Sequence, residues 1–110
     1  MKKRKGDRES SIQELIAIFQ RGDFSLAIAV AKKVIKDYQS ADASNILALA
    51  HKRLGEIDQS IEIYESLLIN NPSNTMFLAN LGNIYADQGR LTAAQKLYEK
   101  VLNADPNHIN

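Results

Sequence analysis

Few side chains in this 110-residue chain could carry out chemistry. It contains two histidines, His51 and His108, and no cysteine, which excludes a thiolate nucleophile and a thiolate metal site. No His/Cys cluster or Gly-rich phosphate loop accompanies the histidines. Glu62 and Glu65 stand about one helical turn apart, an arrangement typical of a solvated helix face. We therefore predict that the chain is not an enzyme and holds no metal and no cofactor.

Positive charge is concentrated at the start of the chain. Residues 1–8 carry a formal charge of +4 and the remainder carries −3. We assign residues 1–9 to a basic disordered arm, either a solvated tail or a contact for nucleic acid or an acidic membrane surface. Elsewhere Lys32, Lys33 and Lys36 form only a small patch without interleaved aromatic residues, which predicts no nucleic-acid partner.

No apolar run approaches the ~20 residues of a membrane span. The basic start does not lead into the apolar run of a secretion signal, and the lack of cysteine fits a reducing compartment. We therefore expect no membrane span and a cytoplasmic protein.

The rest of the chain has the apolar spacing of helices. Gly22, Gly55 and Gly89 interrupt this pattern and predict turns inside three helix pairs, with Ser10 or Ser11 capping the first helix. The pattern also repeats. Pairs of like residues stand 34 positions apart, namely Gly55 and Gly89, Tyr64 and Tyr98, Pro72 and Pro106. A period of this length is typical of a helical solenoid.

The stretch from Thr75 to Pro106 resembles a tetratricopeptide repeat. Leu78 takes the place of the family's Trp, and the other pattern positions are matched by Leu81, Gly82, Tyr85, Ala94, Tyr98 and Pro106. The resemblance implies an all-α fold, an αα-hairpin solenoid of three repeats with six antiparallel helices. The domain would cover residues 10–110, with repeats at about 10–40, 41–74 and 75–108.

Repeat one is degenerate. An ungapped alignment sets Leu15 against Gly82, whereas the apolar residues Ile12, Leu15, Ile16 and Phe19 fit better when shifted by one, and the sequence leaves both open. In repeat three, Gly82 requires a packing reason because a mid-helix glycine costs about 1 kcal/mol relative to alanine. A closely crossing helix would supply it, and Ala94 is small enough to be the partner.

In tetratricopeptide solenoids the first helix of each pair lines an inner groove that holds an extended peptide or a partner helix. By that resemblance the groove candidates are Asp42, Asn45, Leu49, Lys52, Arg53, Met76, Ala79, Asn80, Asn83 and Asp87. Asn side chains both donate and accept, so they could hold a partner's backbone. Some members of the family grip the terminal carboxylate of a partner with Lys, Arg and Asn side chains. In the ungapped alignment those places fall on Ile12, Ile16, Ile46, Met76 and Asn80. The Lys and Arg side chains are missing, so we do not expect such a carboxylate clamp.

Three functions follow from these observations. The first is a protein-interaction module that binds a protein or peptide in the groove. The second is an N-terminal, substrate-recruiting repeat region of a larger enzyme, for example a transferase. The third is a self-assembling scaffold, because Leu97, Val101 and Leu102 on the last helix would form an uncovered apolar strip through which the chain forms a homodimer.

Overall fold

Six α-helices make up the part of the chain that is described in the structure, a computed structural model covering residues 5–104. Their bounds are α1 (Lys5–Gln20), α2 (Phe24–Tyr38), α3 (Ala41–Arg53), α4 (Ile57–Asn70), α5 (Thr75–Asp87) and α6 (Leu91–Ala104). Within this range there is no strand, so the prediction of an all-α chain with six helices is confirmed. Pro106, which completes the repeat pattern, and His108 lie outside the described residues.

Helix α1 begins before its predicted cap at Ser10 or Ser11. Residues 5–9 were assigned to the disordered arm, but the structure places them in the helix, and residues 1–4 are outside the described range. Helix formers such as Arg8 and Glu9 surround the single unfavourable Gly6, and Asp7 in the first turn interacts well with the helix dipole. Local propensity therefore extends the helix although residues 6–10 are exposed.

The three predicted turns share one backbone geometry. After α5, the N–H of Arg90 donates to the carbonyl of Tyr85 at 2.8 Å, and the N–H of Gly89 donates to that of Ala86 at 3.0 Å. This is the Schellman arrangement, which requires a left-handed residue at the Gly89 position, where φ is 77°. The same two bonds follow α1 and α3, with φ of 83° at Gly22 and 80° at Gly55. Glycine is therefore needed at each turn because it has no Cβ.

The helices divide into two compact units, an N-terminal unit up to Ile63 and a C-terminal unit from Tyr64. In the N-terminal unit, α1, α2 and α3 pack around a single apolar core. Its buried members are Leu15, Ile18, Ala27, Ala31, Val34, Ala43, Ile46, Leu47 and Ala50. The many alanines let these helices approach closely, so the core is built from backbone proximity as much as from large side chains.

The C-terminal unit has a core with larger side chains. Tyr64, on the end of α4 that belongs to this unit, packs against Phe77 of α5 with ring centroids 6.3 Å apart. The other buried residues on α5 and α6 are Leu78, Leu81, Gly82, Ile84, Ala94, Leu97 and Val101. Helices α5 and α6 are thus held together by a continuous apolar seam, and burial of these side chains supplies the main stabilising term.

Gly82 has the packing role that its position predicted, but with a different partner. A β-carbon added to Gly82 would lie 2.7 Å from Cε1 of the Tyr98 ring, closer than real Cβ atoms approach. The nearest atoms thus belong to Tyr98 and not to Ala94, the expected partner, which is itself buried in the same unit. The Tyr98 ring therefore occupies the space that a side chain at position 82 would need.

Burial distinguishes the two alignments of repeat one. Leu15 and Ile18 are the buried residues on α1, and Glu14 is exposed. The shifted alignment sets them against buried Leu81 and Ile84 of α5, whereas the ungapped one sets Glu14 against Leu81. Side-chain burial thus follows the shifted alignment, which the apolar pattern also favoured. Among residues 5–104, no helix is both long enough and apolar enough to cross a bilayer.

Candidate functional site

The outer face of α5 carries five of the predicted groove residues. Helix α5 begins after Asn74, whose side chain accepts a hydrogen bond from the N–H of Phe77 at 3.0 Å. Its large apolar side chains enter the core, and the opposite side of the helix presents one stripe at helical spacing. This stripe, which we call the α5 face, consists of Met76, Ala79, Asn80, Asn83 and Asp87. The structure therefore brings these residues together on one surface.

The α5 face is open to solvent. Met76, Asn83 and Asp87 are exposed, while Ala79 and Asn80 are half-buried. Met76 has 45% of its surface exposed, which is unusual for a large apolar side chain. An exposed methionine beside two amides and a carboxylate offers both apolar contact and hydrogen bonding to a ligand.

Two tyrosine–asparagine hydrogen bonds orient the amides of the α5 face. The Tyr98 hydroxyl donates to Oδ1 of Asn83 at 2.6 Å, and Nδ2 of Asn80 donates to the Tyr64 hydroxyl at 3.1 Å. All four residues stand out in the sequence, but their pairing cannot be predicted from it. The bond from Tyr98 leaves the exposed NH₂ of Asn83 without a partner among residues 5–104, so this group is held in place and available to an acceptor.

The environment of Tyr64 differs strongly from that of a surface tyrosine. Burial raises the pKa of the Tyr64 phenol well above its ordinary value of 10.0, and the hydrogen bond from Asn80 offsets a part of this. The phenol therefore stays protonated throughout the physiological range. Its role is to fill the core of the C-terminal unit and to position Asn80.

The predicted groove residues on α3 are less uniform. Ser40 caps this helix by accepting from the N–H of Ala43 at 3.1 Å. Asp42 is exposed, and Leu49 and Lys52 are half-buried. Asn45 differs from these residues because only 9% of it is exposed, which makes it the least accessible of the groove candidates on α3. Its place in the sequence pattern could not distinguish a groove position from a buried one.

Arg53, predicted to face the groove, packs on aromatic rings. Its guanidinium lies 5.6 Å from the ring centroids of both Phe19 and Phe24. These two rings are themselves in edge contact, with centroids 5.3 Å apart. The sequence gives no signal for this cluster, because Phe19, Phe24 and Arg53 lie near the ends of three different helices. The contact ties Arg53 to the N-terminal unit through a cation–π interaction.

The predicted self-association strip is also corrected. Leu97 and Val101 are buried between α5 and α6 in the C-terminal unit, with 9% and 3% of their surfaces exposed. Only Leu102, 43% exposed, can contact another molecule. The apolar spacing of α6 was interpreted as an uncovered surface, whereas most of it is the side that packs on the preceding helix.

His51, which lies within the described range, contacts a neighbouring carboxylate. His51 Nδ1 lies 2.9 Å from Oε1 of Glu56 across the turn between α3 and α4, so the ring is held by a hydrogen bond inside the chain. Within residues 5–104 no group of three or more His, Asp or Glu side chains is placed to hold a metal ion.

Comparison with known proteins identifies the helical pattern. The tetratricopeptide repeat family model matches residues 16–62 and again residues 47–109. The chain belongs to the tetratricopeptide repeat family. It is also 34% identical over 91 residues to a probable UDP-N-acetylglucosamine–peptide N-acetylglucosaminyltransferase SPINDLY from Solanum lycopersicum. That match covers 80% of this chain, and the chain spans only 10% of the relative's length.

Solved structures share the arrangement of helices. A crystal structure of MamA has a TM-score of 0.81 and 26% identity, and the match covers 90% of this chain and 58% of MamA. The first TPR of Spaghetti (RPAP3), bound to the HSP90 peptide SRMEEVD, has a TM-score of 0.83 and 20% identity. That match covers 98% of this chain and 86% of the other, and at this identity it supports the fold alone.

This tetratricopeptide repeat chain lacks the cations of the carboxylate clamp at the corresponding places. Ile46 is buried in the N-terminal unit. In the shifted alignment the two places of repeat one move from Ile12 and Ile16 to Gln13 and Ala17, which carry no positive charge either. The remaining two places, on the α5 face, hold Met76 and Asn80. Neither provides a positive charge for a terminal carboxylate.

Proposed function

We propose that this chain is a protein-interaction module that binds an extended peptide or a helix along the α5 face. The observation that carries the proposal is the exposed amide of Asn83, which Tyr98 holds at 2.6 Å while its NH₂ remains available. A side chain oriented by its own protein loses little rotamer entropy on binding. It can therefore donate to a backbone carbonyl of a partner whatever the partner's sequence.

Specificity would come from the neighbours of Asn83. Met76 offers an adaptable apolar contact at one end of the α5 face, and Asp87 offers a negative charge at the other. A suitable ligand has an apolar residue, a backbone carbonyl within reach of Asn83, and a basic residue near Asp87. Asp42, Leu49 and Lys52 on α3 form a second surface, on the N-terminal unit, with the same mixture of apolar and charged groups.

The variant Asn83→Asp tests this proposal directly. It keeps an oxygen that accepts from Tyr98 and replaces the NH₂ donor by a second acceptor. Peptides are first selected from a random displayed library on the intact protein, and their affinities are then measured by fluorescence anisotropy. We expect peptide binding to weaken about tenfold, the loss of a hydrogen bond worth roughly 1–1.5 kcal/mol, with stability unchanged.

The matched control is Gln59→Glu, the same exchange of amide for carboxylate at an exposed position of α4. It should leave the affinities unchanged. The α5 face is not the binding surface if Asn83→Asp binds the selected peptides as tightly as the unaltered protein does. The same conclusion follows if Gln59→Glu lowers the peptide affinities as much as Asn83→Asp does.

A second candidate function is substrate recruitment within a larger enzyme such as a transferase. It is supported by the similarity to the SPINDLY transferase, of which this chain would correspond to a tenth. A reading frame that continues past Asn110 into a transferase domain would favour it, and a frame that ends there would exclude it. In both functions residues 5–104 act by binding and not by catalysis, and we infer no nucleic-acid partner.

We also infer that the protein acts in the cytoplasm. The absence of cysteine among its 110 residues fits a reducing compartment. Fractionation of cells that express the tagged full-length protein would test this, and recovery with the membrane or the secreted fraction would contradict it.

A further inference from the structure

Arg53 is held in place by stacking, and its hydrogen-bond donors remain unused. The residue is exposed, and its guanidinium lies over the rings of both Phe19 and Phe24, 5.6 Å from each centroid. The planes of the two rings meet at 61°, so they support the guanidinium from two directions. Stacking uses the face of each ring and leaves the N–H donors in the guanidinium plane free. Among residues 5–104 no oxygen accepts a hydrogen bond from this group, so Arg53 offers positioned donors to a ligand.

Arg90 provides a comparison in the C-terminal unit. Its guanidinium lies 4.2 Å from the ring centroid of Tyr85, and its Nη1 donates to Oε1 of Gln88 at 3.4 Å. Arg90 is thus supported by one ring, and one of its donors is already used within the chain. Arg53 has two supporting rings and keeps all of its donors, which form the planar fork that can bind both oxygens of an anion.

The charges beside the two rings leave a positive excess. Arg21 and Asp23 lie in the turn between α1 and α2, the helices that carry the rings. Both are exposed, and neither side chain forms a hydrogen bond or an ion pair within residues 5–104. The carboxylate of Glu56 is already used, because it lies 2.9 Å from Nδ1 of His51. Arg53 and Arg21 against Asp23 leave one net positive charge, which a single carboxylate neutralises and a doubly charged phosphate exceeds.

We propose that Arg53 binds the carboxylate of a Glu or Asp side chain in a partner peptide. The carboxylate accepts two N–H bonds from the guanidinium, and the half-buried rings of Phe19 and Phe24 contact an apolar residue beside the acid. This goes beyond the proposed function, because every contributing residue lies in the N-terminal unit and none lies on the α5 face. The two proposals can fail independently, since Asn83 donates to a backbone carbonyl whereas Arg53 selects an acidic side chain.

A nuclear magnetic resonance titration of the intact protein tests this site. The probe is the peptide Gly-Leu-Glu-Leu-Gly, blocked at both ends so that its one charge is the glutamate side chain. We expect the Nε–H signal of Arg53 and the backbone signal of Phe24 to shift, with a Kd on the order of 1 mM. The same peptide with Gln in place of Glu should bind about fivefold more weakly, the upper range for an exposed ion pair. Tighter binding of the corresponding phosphoserine peptide would overturn the assignment to a carboxylate.

Three variants test which residue binds the acid. Arg53→Gln should weaken binding of the Glu peptide about fivefold, whereas Asp23→Asn should strengthen it about twofold because it removes a competing carboxylate. Arg90→Gln is the matched control, the same exchange at the other stacked arginine, and should have no effect. An Arg53 signal that does not shift would overturn the proposal, as would equal losses in Arg53→Gln and Arg90→Gln. Equal affinities of the Glu and Gln peptides for the unaltered protein would overturn it even if Arg53→Gln fails to fold.

Discussion

Tyr64 and Tyr98 occupy equivalent places in repeats two and three, 34 residues apart, yet they have different surroundings. Tyr64 is fully buried and its hydroxyl accepts from Asn80, whereas Tyr98 is half-buried and its hydroxyl donates to exposed Asn83. Where Tyr98 finds Asn83 on α5, the residue 34 positions earlier is Leu49, which offers no polar partner. The same motif residue thus stabilises a core in one repeat and orients a surface amide in the next.

The two tyrosines should differ most in the stability that is lost when each ring is removed. Tyr64→Ala should reduce the free energy of unfolding by about 3–5 kcal/mol, the usual cost of deleting a fully buried aromatic side chain. Tyr98→Ala should cost about 1–3 kcal/mol because part of its ring is already in water. Urea denaturation followed by circular dichroism measures both. Equal losses would mean that the burial difference between the two tyrosines has no energetic consequence.

The next effect concerns the space that Tyr98 needs on α5. Gly82→Leu should reduce stability by about 1–3 kcal/mol, because the new side chain would overlap the Tyr98 ring. In a Tyr98→Ala background the same substitution should cost much less, since its obstacle is gone. Denaturation of the two single variants and the double variant gives the coupling energy. Additive losses would show that Gly82 is required for a reason other than contact with Tyr98.

Ser60 and Ala94 provide a smaller test at equivalent positions of α4 and α6. Both are buried, and the Ser60 hydroxyl has no hydrogen-bond partner among residues 5–104. Ser60→Ala should therefore stabilise the protein by about 1–2 kcal/mol, since it removes an unsatisfied polar group. Ala94→Ser is the reverse exchange and should destabilise it by a similar amount. Thermal unfolding of both variants would reveal the opposite signs, and a loss of stability in Ser60→Ala would contradict the assignment.

The smallest predicted effect is a pH dependence specific to Tyr64. Burial raises the pKa of this phenol in the folded state, so its stabilising contribution is complete below about pH 10 and is lost as pH rises further and the unfolded chain ionises. The slope can reach about 1.4 kcal/mol per pH unit for one proton. Tyr64→Phe should flatten this decline between pH 10 and 11 in urea denaturation. If the unfolding free energy of Tyr64→Phe falls with pH as steeply as that of the unaltered protein, another group causes the decline.

Much of this architecture could be predicted because it depends on local patterns. The helical spacing of apolar residues, a glycine at each turn and the 34-residue period identify six helices and the repeat family. The need for a close contact at Gly82 was also visible, since a glycine costs helical stability wherever it stands. The α5 face followed from the same spacing, and its five residues do share one side of the helix.

What the tertiary structure decided is which neighbour each side chain meets. Spacing along one helix cannot show that Tyr98 fills the space at Gly82, that Arg53 packs on Phe19 and Phe24, or that Asn45 is buried. It also could not separate buried Leu97 from exposed Leu91 on α6. An apolar stripe has the same period whether a helix covers it or water does, and only the packing of other helices determines its exposure.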